Sequence, residues 1–152
     1  MKLKSPNNGF VIFCECRPAS YQSSAKTKEI YKRRIENNYR RYYTGMMPDE
    51  PLFANVYHFY NEDVSIDADN ISKPTWDALS KVAFSDDRQI IIRSAASIDM
   101  RNGNFEIDPD TVPNDIRFEF LEAIHSKPHT LLIEVGELKT LENLFKQSSL
   151  WK

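Results

Sequence analysis

The amino-acid sequence predicts an α+β domain, a single mixed β-sheet with helices packed on it. Short runs rich in aromatic and β-branched residues recur along the chain, stretches with apolar side chains at helical spacing stand between them, and the two kinds follow one another in an order that suits one mixed sheet. The 152 residues fit one domain and can bury a sizeable core.

Residues 9–17 read as the first strand, with Phe10, Val11, Ile12 and Phe13 at its centre and Pro18 ending it. A polar loop over 19–25 leads to a helix over 26–43, with Ile30, Ile35, Tyr39 and Tyr42 near helical spacing and Ser24 placed to cap it. Residues 45–51 break the chain, and the aromatic-rich run 52–60 favours a second strand. Residues 70–84 predict a helix with Ile71, Thr75, Ala78, Leu79, Val82 and Ala83 along one face. Ser85-Asp86-Asp87 turns the chain into a buried strand that begins at 89–92, and 101–104 reads as a hairpin or loop tip. A helix over 113–126 accepts Pro113 in its first turn and sets Ile116, Phe120, Leu121 and Ile124 on one stripe. A short apolar strand over 130–135 and a closing helix over 138–147 complete the chain.

Composition excludes several classes. No apolar run approaches a membrane span, and no apolar segment follows the basic N-terminus, so no signal peptide is expected and the cytoplasm is the default address. Cys14 and Cys16 would share one face of a strand and read as reduced thiols packed as small hydrophobes; His58, His125 and His129 are scattered, which argues against zinc. The net charge of −2 conceals an asymmetry. Residues 1–45 hold ten Lys/Arg against three Asp/Glu, whereas residues 46–152 hold ten against nineteen. A basic surface for a polyanion beside an acidic region that concentrates cations fits this division, as does a solvated helix that happens to be basic.

The stretch Ile66-Asp67-Ala68-Asp69-Asn70-Ile71-Ser72-Lys73-Pro74 carries the chemistry. Asp67 and Asp69 stand two apart at the entry to a helix, so an extended approach projects both carboxylates to one side. Lys73 lies one helical turn past Asp69, and Asp87 arrives after the helix. Carboxylate oxygens suit Mg2+, a hard cation, and such an ion can orient water and stabilise charge on a phosphodiester. Spacing alone is a weak signal and favours the structural readings: the aspartates as helix caps, Lys73 as an exposed helix charge, Asp87 as a turn residue.

The full pattern, Asp67-x-Asp69-Asn70-x-x-Lys73-Pro74-x-x-Asp77-Ala78-Leu79, then Phe84 and Asp86-Asp87-x-Gln89-Ile90, resembles the core signature of the RusA family of Holliday junction resolvases. The opening strand and its Pro18-x-Ser20 turn, the basic helix, the second strand and the late strand also fall in that family's order. The resemblance implies a single RusA-like nuclease domain over 1–152, with an inserted helical segment at about 100–127. It implies a dimeric endodeoxyribonuclease that resolves four-way junctions by paired nicks, with Mg2+ (or Mn2+ as substitute) on Asp67, Asp69 and Asp87 and with Lys73 as the essential lysine. Asp86 is the rival of Asp87. Asn70 is expected as a cap, and Asp77 as a helix-face residue within reach of Lys73. Under this reading Lys26, Lys28, Lys32, Arg33, Arg34, Arg40 and Arg41 contact the phosphates of branched DNA, and Tyr31, Tyr39, Tyr42 and Tyr43 interleave with them as candidate stacking residues or as core. The chain departs from the family in its low net charge, in a turn after Pro18 without the usual asparagine, and in the 100–127 segment. These departures motivate the alternative of a non-catalytic or broader-specificity branched-DNA-binding module on the same fold.

Overall fold

The computed structural model describes residues 2–63, 66–103 and 106–141. Four strands, β1 (Gly9–Cys14), β2 (Leu52–Tyr60), β3 (Ile90–Asp99) and β4 (His129–Glu137), form one mixed sheet in the order β1-β4-β2-β3. Three helices accompany it: α1 (Ala25–Tyr42), α2 (Ala68–Leu79) and α3 (Asn114–Ser126). The α+β class and the single mixed sheet agree with the sequence.

The mixture has a topological cause. β2 and β3 run parallel and are joined by a crossover through α2, whereas β4 lies antiparallel to both β1 and β2. Because the last strand enters between the first and second, β3 is left at the edge with β2 as its strand neighbour. This corrects the expectation of a buried strand: Ile90 is buried, but Ile91 is 61% exposed.

Strand alternation sends Phe10, Ile12 and Cys14 to one face of β1 and Val11 and Phe13 to the other. The first set meets α1, where the Phe10 ring packs edge-on against Tyr39 with centroids 4.9 Å apart. The second meets α3, where Phe120 receives Phe13 and Phe59 edge-on at 5.9 and 5.6 Å. The helices therefore cover both faces. At one point this packing requires a glycine: the Phe53 ring lies so close over Gly136 on β4 that an added Cβ would stand 2.5 Å from it.

α1 begins where predicted, with the Ser24 side chain accepting the Thr27 amide, and ends on Arg40 and Arg41, charges that suit the negative end of a helix dipole. α2 stops at Leu79, earlier than predicted. Ser80 is extended, Lys81 adopts φ +66°, and the Lys81 amide donates to the Phe84 carbonyl at 2.6 Å. Val82, Ala83 and Phe84 are still buried, but in a turn; their burial imitates helical spacing. Residues 101–103 follow β3 as a loop tip and not as a hairpin, since no strand follows β3 before α3 among the described residues, and residue 104 lies outside them. Pro113 stands just ahead of α3. Of the predicted closing helix, a single 3-10 turn over Leu138–Leu141 is described, and 142–147 lie outside the described residues.

Candidate active site

α2 opens on Asp67, whose backbone is extended at the N-cap position and whose side chain makes no capping hydrogen bond. Asn70 is not the cap. It sits inside the first turn, its amide donating to the Asp67 carbonyl at 3.0 Å. Asp69 lies in the same turn, and both carboxylates are exposed, with no hydrogen bond or ion pair among the described residues. Two unpaired acids at a helix N-terminus are compatible with the dipole and leave their oxygens available to a cation.

One turn further on, the Lys73 ammonium donates to Asp77 Oδ1 at 2.7 Å and to Asp87 Oδ2 at 3.0 Å. The i,i+4 contact to Asp77 is the one expected. Hydrogen bonds to these two acids, Asp77 first, raise the Lys73 pKa, so Lys73 acts as a fixed cation and not as a proton donor near neutral pH. Asp87 itself is well enclosed, its side chain 19% exposed. Arg93 of β3 holds it from the other side: its guanidinium donates to the Asp87 carbonyl oxygen at 2.7 Å and stands 3.7 Å from the carboxylate. Asp86 is engaged elsewhere. It caps the 3-10 turn Asp87–Gln89 in a reciprocal box with Gln89, and the Arg88 guanidinium beside it holds its carboxyl down to about 2. The structure thus aims Asp87, and not Asp86, at the α2 lysine. Among the described residues, no group of three or more His, Cys, Asp or Glu side chains stands close enough to hold a metal ion.

Pro74 explains a local connection. Lacking an amide proton, it cannot close the helical hydrogen bond to the Asn70 carbonyl four residues back. The Tyr21 amide donates there instead, at 2.8 Å. The loop after β1 is thereby tied to the first turn of α2, and Tyr21, 63% exposed, stands beside it with the Lys28 ammonium 5.4 Å from its ring centroid. Tyr21, Lys28, Lys32, Lys73 and Pro74 line a groove of about 310 Å³ between α1 and α2.

The basic residues of α1 do not form one patch. Lys28 and Lys32 face this groove, while Arg34 lines a second cleft with Cys16, Arg17 and Tyr31. Lys26 is exposed and lines neither; Arg33 pairs with Glu29, Arg40 with Glu36, and Arg41 lies over the Tyr42 ring. Tyr31, Tyr39, Tyr42 and Tyr43 are all buried, which places them in the core rather than against bases; the Tyr31 hydroxyl instead joins Thr75 on α2 at 2.8 Å. The sequence pattern does not single out Tyr21 or Arg93. An arginine between β-branched and small strand residues is the signal for the second; an exposed aromatic in a polar loop gives almost none for the first.

Two of the histidines are not scattered. His58 on β2 and His129 on β4 meet through a hydrogen bond of 2.9 Å in the interior, and His129 Nε2 reaches Glu62 at 2.5 Å. Burial, then the charge of His129, then that of Arg17, push the His58 pKa from 6.5 down to about 4. The native state therefore refuses a proton that the unfolded chain accepts. Stability is full above about pH 6.5 and is expected to fall by about 3 kcal/mol as the pH drops toward 4. Denaturant midpoints at pH 7.5, 6 and 5 test this, because ordinary carboxylates begin to titrate only below that window. A flat profile there would contradict it. The two thiols are free and buried, Cys14 donating to the Cys16 sulfur at 2.9 Å.

Two exposed aspartates at the entry to α2, a lysine bridging two more acids, and a groove that carries Lys28, Lys32 and Lys73 with Glu29 and Asp77 set acidic and basic side chains side by side. The family described as endodeoxyribonuclease RusA matches residues 17–108, more than half of the chain, and the protein belongs to that family of endodeoxyribonucleases. No match was found among curated proteins. Among the described residues, no helix is long and apolar enough to cross a membrane.

Proposed function

We propose that the protein is a Mg2+-dependent endonuclease that resolves four-way DNA junctions by paired nicks, acting as a homodimer in the cytoplasm. The observation that carries the reading is the position of Lys73, common to the acidic site and to the groove that holds Lys28 and Lys32. A phosphate backbone lying along the two α1 lysines would reach the α2 lysine and the acids around it.

In this reading Asp67, Asp69 and Asp87, which do not stand together as a metal-holding group among the described residues, would converge to hold the ion, with Mn2+ as a substitute. Their oxygen-only donor set suits a hard cation, and Asp67 and Asp69 need not break any described contact to bind one. When bound, the ion supplies a polarised water and charge stabilisation at the scissile phosphate. Lys73 keeps Asp87 next to α2 and presents a positive charge toward the phosphate path; its second partner, Asp77, anchors the ammonium whether or not Asp87 stays with it. Arg93 fixes the Asp87 backbone. Tyr21 offers an exposed ring at the rim of the groove on which an unpaired base can stack. Of the α1 cations, Lys28 and Lys32 contact the nicked strand; Lys26, Arg33, Arg34, Arg40 and Arg41 contribute a diffuse positive field. The 100–127 segment is an addition to the nuclease core of a single domain.

Incubation with a synthetic four-way junction tests the proposal. Nicks near the crossover are expected with Mg2+ and none with EDTA, and Tyr21→Ala is expected to weaken junction binding while leaving linear duplex binding unchanged. Junction binding without nicking at any Mg2+ or Mn2+ concentration would favour the alternative, a non-catalytic module; equal nicking of three-way and linear substrates would show a broader-specificity nuclease.

A further inference from the structure

The buried histidines belong to a longer chain of hydrogen bonds that ends beside the acidic site. Ser97 on β3 lies directly across from His58 on β2. Its hydroxyl stands 3.5 Å from His58 Nδ1 and 3.2 Å from the carbonyl oxygen of Ile66, the residue preceding Asp67. The chain therefore runs Glu62, His129, His58, Ser97, Ile66, crossing from β4 to β2 to β3 and returning to the connection that enters α2.

The protons along it are ordered by the ends. With both rings neutral, the Glu62 carboxylate, which only accepts, takes the His129 Nε2 proton and leaves Nδ1 bare. His58 Nε2 then donates to His129 Nδ1, which leaves His58 Nδ1 without a proton. The Ser97 hydroxyl has one proton and two acceptors facing it: it donates to the Ile66 carbonyl at 3.2 Å, and the bare His58 Nδ1 at 3.5 Å is the weaker competitor for the same proton. Both imidazole tautomers are thus set by a carboxylate, and His58 is fully buried. Neither histidine touches the acids at which catalysis is proposed.

We infer that Ser97, through its hydrogen bond to the Ile66 carbonyl, is a positioning residue that fixes the Ile66–Asp67 backbone and with it the N-terminal turn of α2. The role rests on the proposed nuclease site only for its consequence; the positioning itself is a property of the fold. The first helical hydrogen bond after that anchor, Asn70 amide to Asp67 carbonyl, reports it directly.

Ser97→Ala on the full chain is the test, because Ser97 sits on the edge strand and its replacement leaves the histidine pair in place. Loss of one hydrogen bond is expected to speed amide exchange at Asn70 by about fivefold. The nicking kcat is expected to fall by a similar factor while junction affinity stays constant, and Ser97→Thr, which keeps a hydroxyl, is expected to restore both. Unchanged Asn70 exchange in Ser97→Ala would overturn the inference even in an active nuclease, as would a Thr variant no better than Ala. A wild-type protein that never nicks, but whose Asn70 exchange responds to Ser97→Ala and recovers with Ser97→Thr, would refute the nuclease reading and leave the positioning role standing.

Discussion

Lys73→Met is expected to lower single-turnover junction nicking by at least about a hundredfold, the usual cost of removing a charge that faces a reacting phosphate. The melting temperature should hardly move. Lys73 is half-exposed, its partner Asp77 more so, and ion pairs in such settings contribute little to stability. Asp69→Asn should match the loss in rate, since it keeps the shape of a carboxylate and removes its charge. Asp77→Asn should be milder, because Asp77 anchors Lys73 without being a proposed ligand. Lys73→Arg separates charge from geometry: a guanidinium cannot replace an ammonium that bridges acids at 2.7 and 3.0 Å, so little recovery is expected. A Lys73→Met rate within about threefold of wild type would remove the lysine from the mechanism.

The largest expected effect on stability lies far from the acids. Phe120→Ala should cost about 3–5 kcal/mol, measured by equilibrium denaturation, because a fully buried ring is exchanged for a cavity. Phe120 belongs to α3, beyond residue 108 where the family match ends, yet it packs against Phe13 on β1 and Phe59 on β2. β4, also beyond the match, lies between β1 and β2. The sheet on which the matched residues fold is thus completed by later sequence. A cost below about 1 kcal/mol would mark α3 as a loosely attached appendage.

Much of this architecture was legible in the sequence because local physics dictates it. β2 and α3 came within a residue or so of their predicted bounds, since strand alternation and a helical stripe are properties of the elements themselves. Strand order is not local. Nothing in residues 90–99 says that β4 will enter between β1 and β2, so the edge position of β3 was missed. The α2 end failed for a related reason: a tight turn at Lys81 buries Val82–Phe84 at intervals that mimic a helix. In the site, the Lys73–Asp77 pair followed from i,i+4 spacing. Tyr21 at Asn70 and the His58–His129 pair depend on contacts between distant segments, and only the folded arrangement reveals them; Arg93 reaches back over the 3-10 turn to Asp87, a local contact that strand periodicity does not announce. The tyrosines of α1 show the converse. Interleaved with arginines they suggest a nucleic-acid surface, but a helix also needs an apolar face, and their rings supply it.

Calorimetric titration of Mn2+ into the wild type and the three single Asp→Asn variants tests most directly the proposal that Asp67, Asp69 and Asp87 bind a hard divalent cation. The account predicts binding by the wild type and the loss of most of that binding in each variant. Wild-type binding retained in full by all three variants would contradict it.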